Sequence, residues 1–209
     1  MKKQIISAFV ILLTLSATAQ QTTDKKESKF ELIGNSKLGF AQLNQSGEVS
    51  LNGNTNAGEI LLSIKIGKKW YLTPGFGAME FNANPTVAGN TASIKNTYFQ
   101  IPVKAIGEYA VFGKEQSDSK ILLTIGIGLY ANTLLKSEIQ TVAGNSTATN
   151  LGWNFGLSTQ IGAKFILSDK LNLGIGLENQ GDFNDMNKNG VSQKMRQINS
   201  LYFSVGLKL

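Results

Sequence analysis

The fold is decided by one run, Trp153-Asn154-Phe155-Gly156-Leu157-Ser158-Thr159-Gln160-Ile161-Gly162-Ala163-Lys164-Phe165. Its odd positions are almost all large and apolar, whereas its even positions are small or polar. A β-strand with this period of two has one apolar face and one polar face. Similar long runs recur along the chain, with a polar face made of Gly, Asn, Ser, Gln and Lys. The pattern therefore predicts a small transmembrane β-barrel with lipid outside and a polar lumen.

The N-terminus has the pattern of an export signal. Lys2 and Lys3 precede an apolar stretch, Ile5–Leu15, and small residues follow at 17–19. This apolar core is too short to cross a bilayer as a helix, so we expect it to be removed rather than retained as an anchor. We accordingly predict a signal peptide at 1–19, a flexible periplasmic lead-in at 20–28, and a barrel domain at 29–209.

The composition argues against most catalytic chemistry. The chain has no cysteine and no histidine, so it lacks disulfides, thiol nucleophiles, the commonest general base and the commonest metal ligand. We predict no enzyme activity, no catalytic residue, no metal and no cofactor. The net charge of +6 is spread along the chain, with no basic run longer than Lys25-Lys26, so nucleic acid is not an expected partner.

Eight extended segments are predicted, at 29–42, 57–67, 69–82, 97–110, 120–133, 151–166, 170–181 and 198–209. The connections between them alternate in length. The long ones are rich in Asn, Gly, Ser and Thr and cover 43–56, 83–96, 134–150 and 181–197. The others are shorter, at 67–69, 112–119 and 168–170. This alternation predicts an all-β, eight-stranded antiparallel up-and-down barrel with both termini in the periplasm and four long loops outside.

Aromatic residues on the apolar faces recur about 10–12 positions apart. At about 3.3 Å per residue and a tilt near 40°, ten residues climb about 25 Å, the height of the apolar band of such barrels. We therefore predict that these side chains are anchors at the two membrane interfaces. The predicted anchors are Phe30, Phe40, Trp70, Phe99, Tyr109, Trp153 and Phe165.

The opposite faces of the predicted strands carry charges of both signs. An eight-stranded barrel is just wide enough to be filled by side chains, so we expect these charges to meet and neutralise one another as an ion-pair plug. The alternative is a narrow polar path that selects a solute or a proton. The predicted lumen charges are Glu31, Lys37, Glu59, Lys65, Lys104, Glu108, Lys164, Glu178 and Lys208.

Paired glycines could be mistaken for nucleotide-binding loops. They occur in Gly75-Phe76-Gly77, Gly126-Ile127-Gly128 and Gly174-Ile175-Gly176. In each case both glycines fall on one strand face, and none opens a recognisable helix. We interpret them as small lumen residues that leave room for bulky neighbours, among them Tyr71, Tyr98, Tyr130 and Tyr202.

The run Tyr98-Phe99-Gln100-Ile101-Pro102-Val103, followed by Tyr109, resembles the Y-L-x-I-P-L…K-Y strand of outer-membrane β-barrel domain proteins, including the PorT-like group of Bacteroidetes. The leader that ends before Gln20-Gln21 is similar to leaders from those bacteria. In layout the resemblance covers the mature chain, but in motif only this strand and the last one. It implies an outer-membrane location and insertion by the barrel-assembly machinery, with the last strand as the insertion signal. Such barrels often end in an aromatic residue, whereas this chain ends at Leu209.

Taken together, these features predict a monomeric, non-enzymatic barrel in the outer membrane of a Gram-negative bacterium, in contact with outer-membrane lipid. Its predicted role is structural, or one of surface interaction through the four long loops. One alternative is a small pore or carrier for small or hydrophobic solutes. A second is a secreted soluble barrel of the lipocalin type, which would need its apolar face turned inward.

Overall fold

The computed structural model describes residues 28–45, 50–87, 90–112, 120–142, 144–149, 151–188 and 191–209. The predicted signal peptide and residues 20–27 of the predicted lead-in lie outside these ranges. No helix in the described ranges is long and apolar enough to cross a membrane. In these ranges the strands are β1 (Phe30–Gln45), β2 (Leu51–Lys65), β3 (Trp70–Ala83), β4 (Thr86–Val87), β5 (Asn90–Thr91), β6 (Ser93–Ala110), β7 (Ile121–Thr141), β8 (Gly144–Ala148), β9 (Trp153–Ile166), β10 (Leu171–Asp182), β11 (Met186–Lys188) and β12 (Val191–Lys208).

Eight of the described strands form a closed antiparallel barrel wall. Their order is β1-β2-β3-β6-β7-β9-β10-β12, and β12 pairs with β1 to close the ring. The start of β1 meets the residue that follows β12 at one end of this seam, where the Leu209 N–H donates to the Phe30 carbonyl at 3.0 Å. The predicted eight-stranded up-and-down barrel is confirmed. We call one end of the barrel the short-turn end: it holds the start of β1, the end of β12 and the turn at 66–69. The opposite end is called the hairpin end.

Several strands run further toward the hairpin end than the sequence predicts. β2 begins at Leu51, β6 at Ser93 and β12 at Val191, and β7 continues to Thr141. The predicted long loops at 43–56, 83–96, 134–150 and 181–197 are therefore wrong over much of their length, because the hydrogen-bonded ladder continues through them. Beyond the lipid, the outer face need not be apolar. The alternation that marks a membrane strand then disappears from the sequence while the backbone pairing persists.

Three small elements lie at the hairpin end: a two-stranded pair and two short single strands. β4 pairs with β5, β8 pairs with the end of β7, and β11 pairs with the start of β12. All five residues of β8 are exposed. Three of the connections at this end thus contain additional paired strands.

The outer face of the wall is apolar over a continuous band. Large side chains such as Leu38, Ile60, Phe76, Leu177 and Phe203 are between 45% and 61% exposed. A surface of this kind is unfavourable in water and favourable against lipid chains. The inside-out pattern is therefore confirmed, and the soluble lipocalin-like alternative is wrong because the apolar face points outward.

Candidate functional site

The lumen is the first candidate site, because buried charges converge there. Seven of the nine predicted lumen charges point inward and are at most 8% exposed. They are Glu31, Lys37, Glu59, Lys104, Glu108, Lys164 and Glu178. Lys65 and Lys208 lie on the same faces of β2 and β12, but near the short-turn end, and they are only partly buried. Long lysine side chains at the mouth of a barrel can keep their ammonium groups close to water.

Four of the buried charges form a closed ring, which we call the central ring: Lys37, Glu59, Lys104 and Glu178. Lys37 Nζ lies 2.5 Å from Glu59 Oε1 and 2.8 Å from Glu178 Oε2. Lys104 Nζ lies 3.3 Å from Glu59 Oε2 and 3.0 Å from Glu178 Oε1. Each lysine therefore bridges both glutamates, and the ring carries no net charge.

The central ring spans the lumen because its members come from four different strands, β1, β2, β6 and β10. Two neighbouring amides complete its hydrogen bonds: Asn35 Nδ2 donates to Glu59 at 3.3 Å and Gln180 Nε2 donates to Glu178 at 2.8 Å. Buried charges are tolerated only when they are paired and hydrogen-bonded in this way. The ring is thus a cross-brace that fills the middle of the lumen.

Glycines make room for the ring on the neighbouring strands. Gly77 pairs in register with Glu59, and Gly128 pairs with Lys104. A Cβ atom would lie 2.8 Å from Glu59 Cγ at the first position and 2.7 Å from Lys104 Cγ at the second. Two of the glycine pairs therefore serve packing, as the sequence predicts, and they pack against the charged side chains themselves.

A second group, which we call the rim cluster, consists of Glu31, Glu108 and Lys164. Lys164 Nζ lies 2.8 Å from Glu31 Oε2 and 2.7 Å from Glu108 Oε1. It also lies 5.8 Å from the centre of the Tyr71 ring, within reach of a cation–π contact. Asn172 Nδ2 donates to the second oxygen of Glu31 at 3.1 Å. The cluster carries one net negative charge and lies between the central ring and the short-turn end.

A small cavity adjoins the rim cluster. Its volume is about 50 Å³, and its lining includes Glu31, Glu108, Lys164, Ser63 and Tyr202. A buried water molecule occupies about 30 Å³ of liquid volume, so the cavity holds no more than a few waters.

Above the central ring, toward the hairpin end, the lumen contains a layer of buried polar groups. The Tyr130 hydroxyl donates to Asp182 Oδ1 at 2.7 Å, and the Met195 N–H donates to Asp182 Oδ2 at 2.7 Å. Gln100 Nε2 reaches Gln180 Oε1 at 3.5 Å. This layer links β6, β7, β10 and β12 across the lumen.

The hairpin end itself is sealed by an apolar core, which we call the loop-end core. Its largest members are at most 2% exposed. The buried residues of the loop-end core are Ala41, Leu43, Met79, Phe81, Ala83, Tyr98, Leu134, Leu151, Met186, Met195 and Ile198. Here the barrel has the ordinary arrangement of a soluble protein, with apolar side chains inside and polar ones outside.

The loop-end core was not predicted from the sequence, because five of its eleven residues lie in segments predicted as loops and the other six lie at or near the ends of predicted strands. The sequence does contain a signal for this core: along a strand, the apolar residues change from the outward-facing positions to the inward-facing ones. In β1 the large apolar residues Leu38 and Phe40 are on the outer face, but the next apolar residues, Ala41 and Leu43, are buried inside. In β3 the outward Phe76 is followed by the inward Met79 and Phe81. Such a switch marks the point at which a strand leaves the membrane.

The predicted interface aromatics all lie on the outer face. Phe30, Phe40, Trp70, Trp153 and Phe165 are between 37% and 71% exposed, whereas Phe99 and Tyr109 are half-buried.

Tyr109 is half-buried because it lies in a group at the short-turn end. Its ring and the Trp70 ring both border Gly107, and Lys69 Nζ lies 5.4 Å from the centre of the Tyr109 ring. Neighbouring Tyr and Trp rings, with a lysine over one of them, are typical of a membrane interface.

Two charged pairs on the outer face lie toward the hairpin end. Lys95 Nζ lies 2.8 Å from Glu80 Oε2, and Lys136 Nζ lies 2.7 Å from Glu138 Oε1. Partial burial raises the pKa of Glu80, but hydrogen bonds from Lys95 and Asn82 hold the pKa of that carboxyl below its ordinary value. These pairs lie beyond the apolar band, where the outer face meets water.

In the described residues, no group of three or more Asp, Glu, His or Cys side chains is placed to hold a metal ion. Four buried carboxylates of the described lumen, those of the central ring and the rim cluster, are instead paired with lysines.

A family model for the outer membrane protein beta-barrel domain matches residues 7–208 of the chain. None of the curated proteins compared with the chain matches it.

Several solved structures are similar to the chain at low sequence identity. Neisserial surface protein A is 14% identical with a TM-score of 0.54, over 87% of this chain and 98% of that one. The attachment invasion locus protein Ail of Yersinia pestis is 11% identical with a TM-score of 0.47, over 87% and 99%. The outer membrane protease OmpT of Escherichia coli is 7% identical with a TM-score of 0.48, over 90% and 99%. At these identities, the likeness to surface protein A shows a shared fold alone.

Proposed function

Since the chain belongs to the outer membrane protein beta-barrel domain family, we propose that it is a non-enzymatic, closed barrel that presents its hairpin end at the cell surface. Its role is structural or one of surface interaction, and it does not conduct solutes. The observation that carries this proposal is the central ring. Lys37, Glu59, Lys104 and Glu178 fill the middle of the lumen and pair with one another completely.

A pore through this lumen would have to break the ring. Separating one member of a buried ion pair from its partners costs about 3–5 kcal/mol, because the remaining charge is left uncompensated. Ions would also have to pass the loop-end core, where Leu43, Phe81 and Met195 are at most 1% exposed. Two barriers of different chemistry thus lie in series, which disfavours the small-pore alternative.

The hairpin end supplies the surface for interaction. β7 is 21 residues long, and its last residues pair with the fully exposed β8. The wall beneath these hairpins is braced by the loop-end core, so the hairpins stand on a rigid base. Binding residues carried on loops above a rigid scaffold are a common arrangement in proteins.

The proposed orientation places the short-turn end in the periplasm. The start of β1 and the end of β12 lie there. Short periplasmic turns and long extracellular connections are the rule for outer-membrane barrels. We further propose that the chain is a monomer, that it is inserted by the barrel-assembly machinery with β12 as the insertion signal, and that it falls in the PorT-like group. This last assignment depends on the motif at 98–103.

The proposal is tested by location and by conductance. The full-length protein should be recovered in the outer-membrane fraction and should migrate differently on a gel before and after boiling. The refolded barrel, added to planar bilayers, should give no current above that of the bare membrane. Stable single-channel steps from the wild-type barrel would overturn the closed-lumen assignment, and recovery in the soluble periplasm would overturn the location.

A further inference from the structure

An array of carboxamide side chains lies on the outer face just beyond the apolar band. Its first row crosses five neighbouring strands, with Phe40 at the centre. Each member pairs in register with the next. The row, from β10 to β3, is Asn179, Asn199, Phe40, Asn54 and Asn82. One step closer to the hairpin end, a second row contains Gln197, Gln42 and Asn52.

The centre of this array is a cleft with a volume of about 390 Å³. We call it the amide cleft, and its side chains are Phe40, Gln42, Asn52, Asn54, Gln197 and Asn199. A bulge borders it, because Gln42 pairs with Gln197 whereas Leu43 pairs with Met195. Bulges redirect neighbouring side chains and are over-represented beside binding sites.

The chemistry of the amide cleft is uncharged. A carboxamide offers two N–H donors and a carbonyl acceptor, so it matches groups that both donate and accept, such as sugar hydroxyls. None of the cleft residues is ionisable, whereas recognition of phosphate or carboxylate normally uses Arg or Lys. Asn179 Nδ2 donates to Asn199 Oδ1 at 2.7 Å, which holds one wall of the cleft in place.

The aromatic ring at the cleft is unusually accessible. Phe40 is 71% exposed, more than any other aromatic side chain in the described part of the chain. It lies directly between Asn54 and Asn199 in the register. An aromatic face beside amides matches a pyranose ring, which has an apolar C–H face and an edge of hydroxyl groups.

The position of the cleft indicates where such a sugar comes from. Leu38 pairs with Leu201 one step toward the membrane, and both are exposed to the lipid, as is Ile60. Beyond the cleft the outer face is polar. The cleft thus lies at the level of lipid headgroups, and the acyl chains of a bound lipid would run down over Leu38, Ile60 and Leu201.

We propose that the amide cleft binds a neutral, hydroxyl-rich sugar in the headgroup of an outer-leaflet glycolipid. This inference rests on the proposed orientation, which puts the hairpin end outside. The central ring and the loop-end core take no part in it, so binding at the cleft and closure of the lumen can be tested separately.

The test uses the full barrel in three kinds of phospholipid nanodisc: plain, containing rough lipopolysaccharide, and plain with dephosphorylated core oligosaccharide added in solution. The side-chain NH₂ resonances of Gln42, Asn52 and Asn54 are followed by NMR. We expect them to shift with lipopolysaccharide and not in plain discs. The variant Gln42→Ala/Asn54→Ala, and separately Phe40→Leu, should weaken binding by about tenfold, the loss typical of a central contact.

Matched controls are available on the same barrel. Phe155 is 58% exposed on β9, away from the cleft, and Asn145 is exposed on β8. Phe155→Leu and Asn145→Ala should leave binding unchanged. An unchanged thermal transition in the cleft variants would show that they fold.

Each remaining outcome is decisive. Identical spectra in plain and lipopolysaccharide discs, without a response to oligosaccharide, would overturn the proposal. Shifts with free oligosaccharide alone would overturn the membrane source of the sugar. If the control variants lost binding as much as the cleft variants, the site would lie elsewhere. Labelling of a cysteine placed at Asn145 on intact cells tests the orientation independently.

Discussion

Lys104 on β6 and Glu178 on β10 meet inside the lumen, with Lys104 Nζ 3.0 Å from Glu178 Oε1. The two strands are separated by β7 and β9 in the barrel wall, so this contact crosses the interior rather than joining neighbours. Both residues also contact the other pair of the central ring. Their contact is the structural basis for expecting a closed barrel whose stability depends on charge balance.

Removing one charge from the central ring should therefore destabilise the barrel strongly. Glu178→Gln leaves Lys37 and Lys104 to share Glu59, and we expect a loss of about 3–5 kcal/mol in the free energy of unfolding. This loss is measured by urea unfolding of the wild-type barrel and the variant in phospholipid vesicles. Lys136→Gln removes an exposed pair and should cost less than about 1 kcal/mol.

Restoring neutrality should recover part of that loss. Lys104→Met combined with Glu178→Gln leaves Lys37 and Glu59 as a matched pair, so the double variant should be more stable than the two single losses added together. Strict additivity in this double-mutant cycle would show that the two groups are not coupled.

A charged side chain on the lipid-facing surface should lower the free energy of unfolding more, the deeper it lies in the bilayer. Leu173 is 40% exposed within the apolar band, and Leu173→Arg should cost about 2–4 kcal/mol near the midplane. Asn179→Arg, three steps of the strand pleat further along β10, lies at the polar boundary and should cost about 0–1 kcal/mol. Urea unfolding in phospholipid vesicles compares the free energies of unfolding of the two variants. Equal losses would contradict the assigned position of the apolar band.

The loop-end core should behave as an ordinary hydrophobic core. Phe81 is fully buried, so Phe81→Ala should lower the free energy of unfolding by about 3–5 kcal/mol through lost burial and a residual cavity. Phe183→Ala, at a side chain that is 59% exposed at the same end, is the matched control and should have a much smaller effect. Planar-bilayer current should stay at baseline in Phe81→Ala, because the central ring remains intact.

Two glycines on one face of β7 provide a test of packing around the ring. A Cβ at Gly128 would meet Lys104 Cγ at 2.7 Å and the Val103 carbonyl oxygen at 2.8 Å. At Gly126 the three nearest atoms all belong to the Gln160 side chain, the first at 2.6 Å, and a side chain can move more easily than the backbone. Gly128→Ala should thus lower the free energy of unfolding by about 1–3 kcal/mol, as overpacking does. Gly126→Ala should lower it clearly less. Calorimetry of the two refolded variants ranks them, and the reverse order would show that Lys104 is not held in place.

The boundaries of the strands show how far local patterns can predict this fold. Where a strand lies in lipid, as in Trp153–Phe165, alternation identifies it and assigns its faces. At Asn52 and Asn54 the outer face leaves the lipid, and the same strand loses its apolar period although it stays paired with β1 and β3. The amide cleft was missed because its residues come from three strands, and Asn52, Asn54 and Gln197 lie in segments predicted as loops.

The sequence by itself determined the architecture: eight lipid-facing strands, inward charges of both signs, and aromatic residues on the outer face. These follow from a period of two, which is a property of each strand alone. The tertiary structure alone decided which charges meet, that Lys65 and Lys208 stay near the rim, and that an apolar core closes the hairpin end. Those outcomes depend on the register between strands far apart in the chain, and on side chains that meet only when the ring of strands closes.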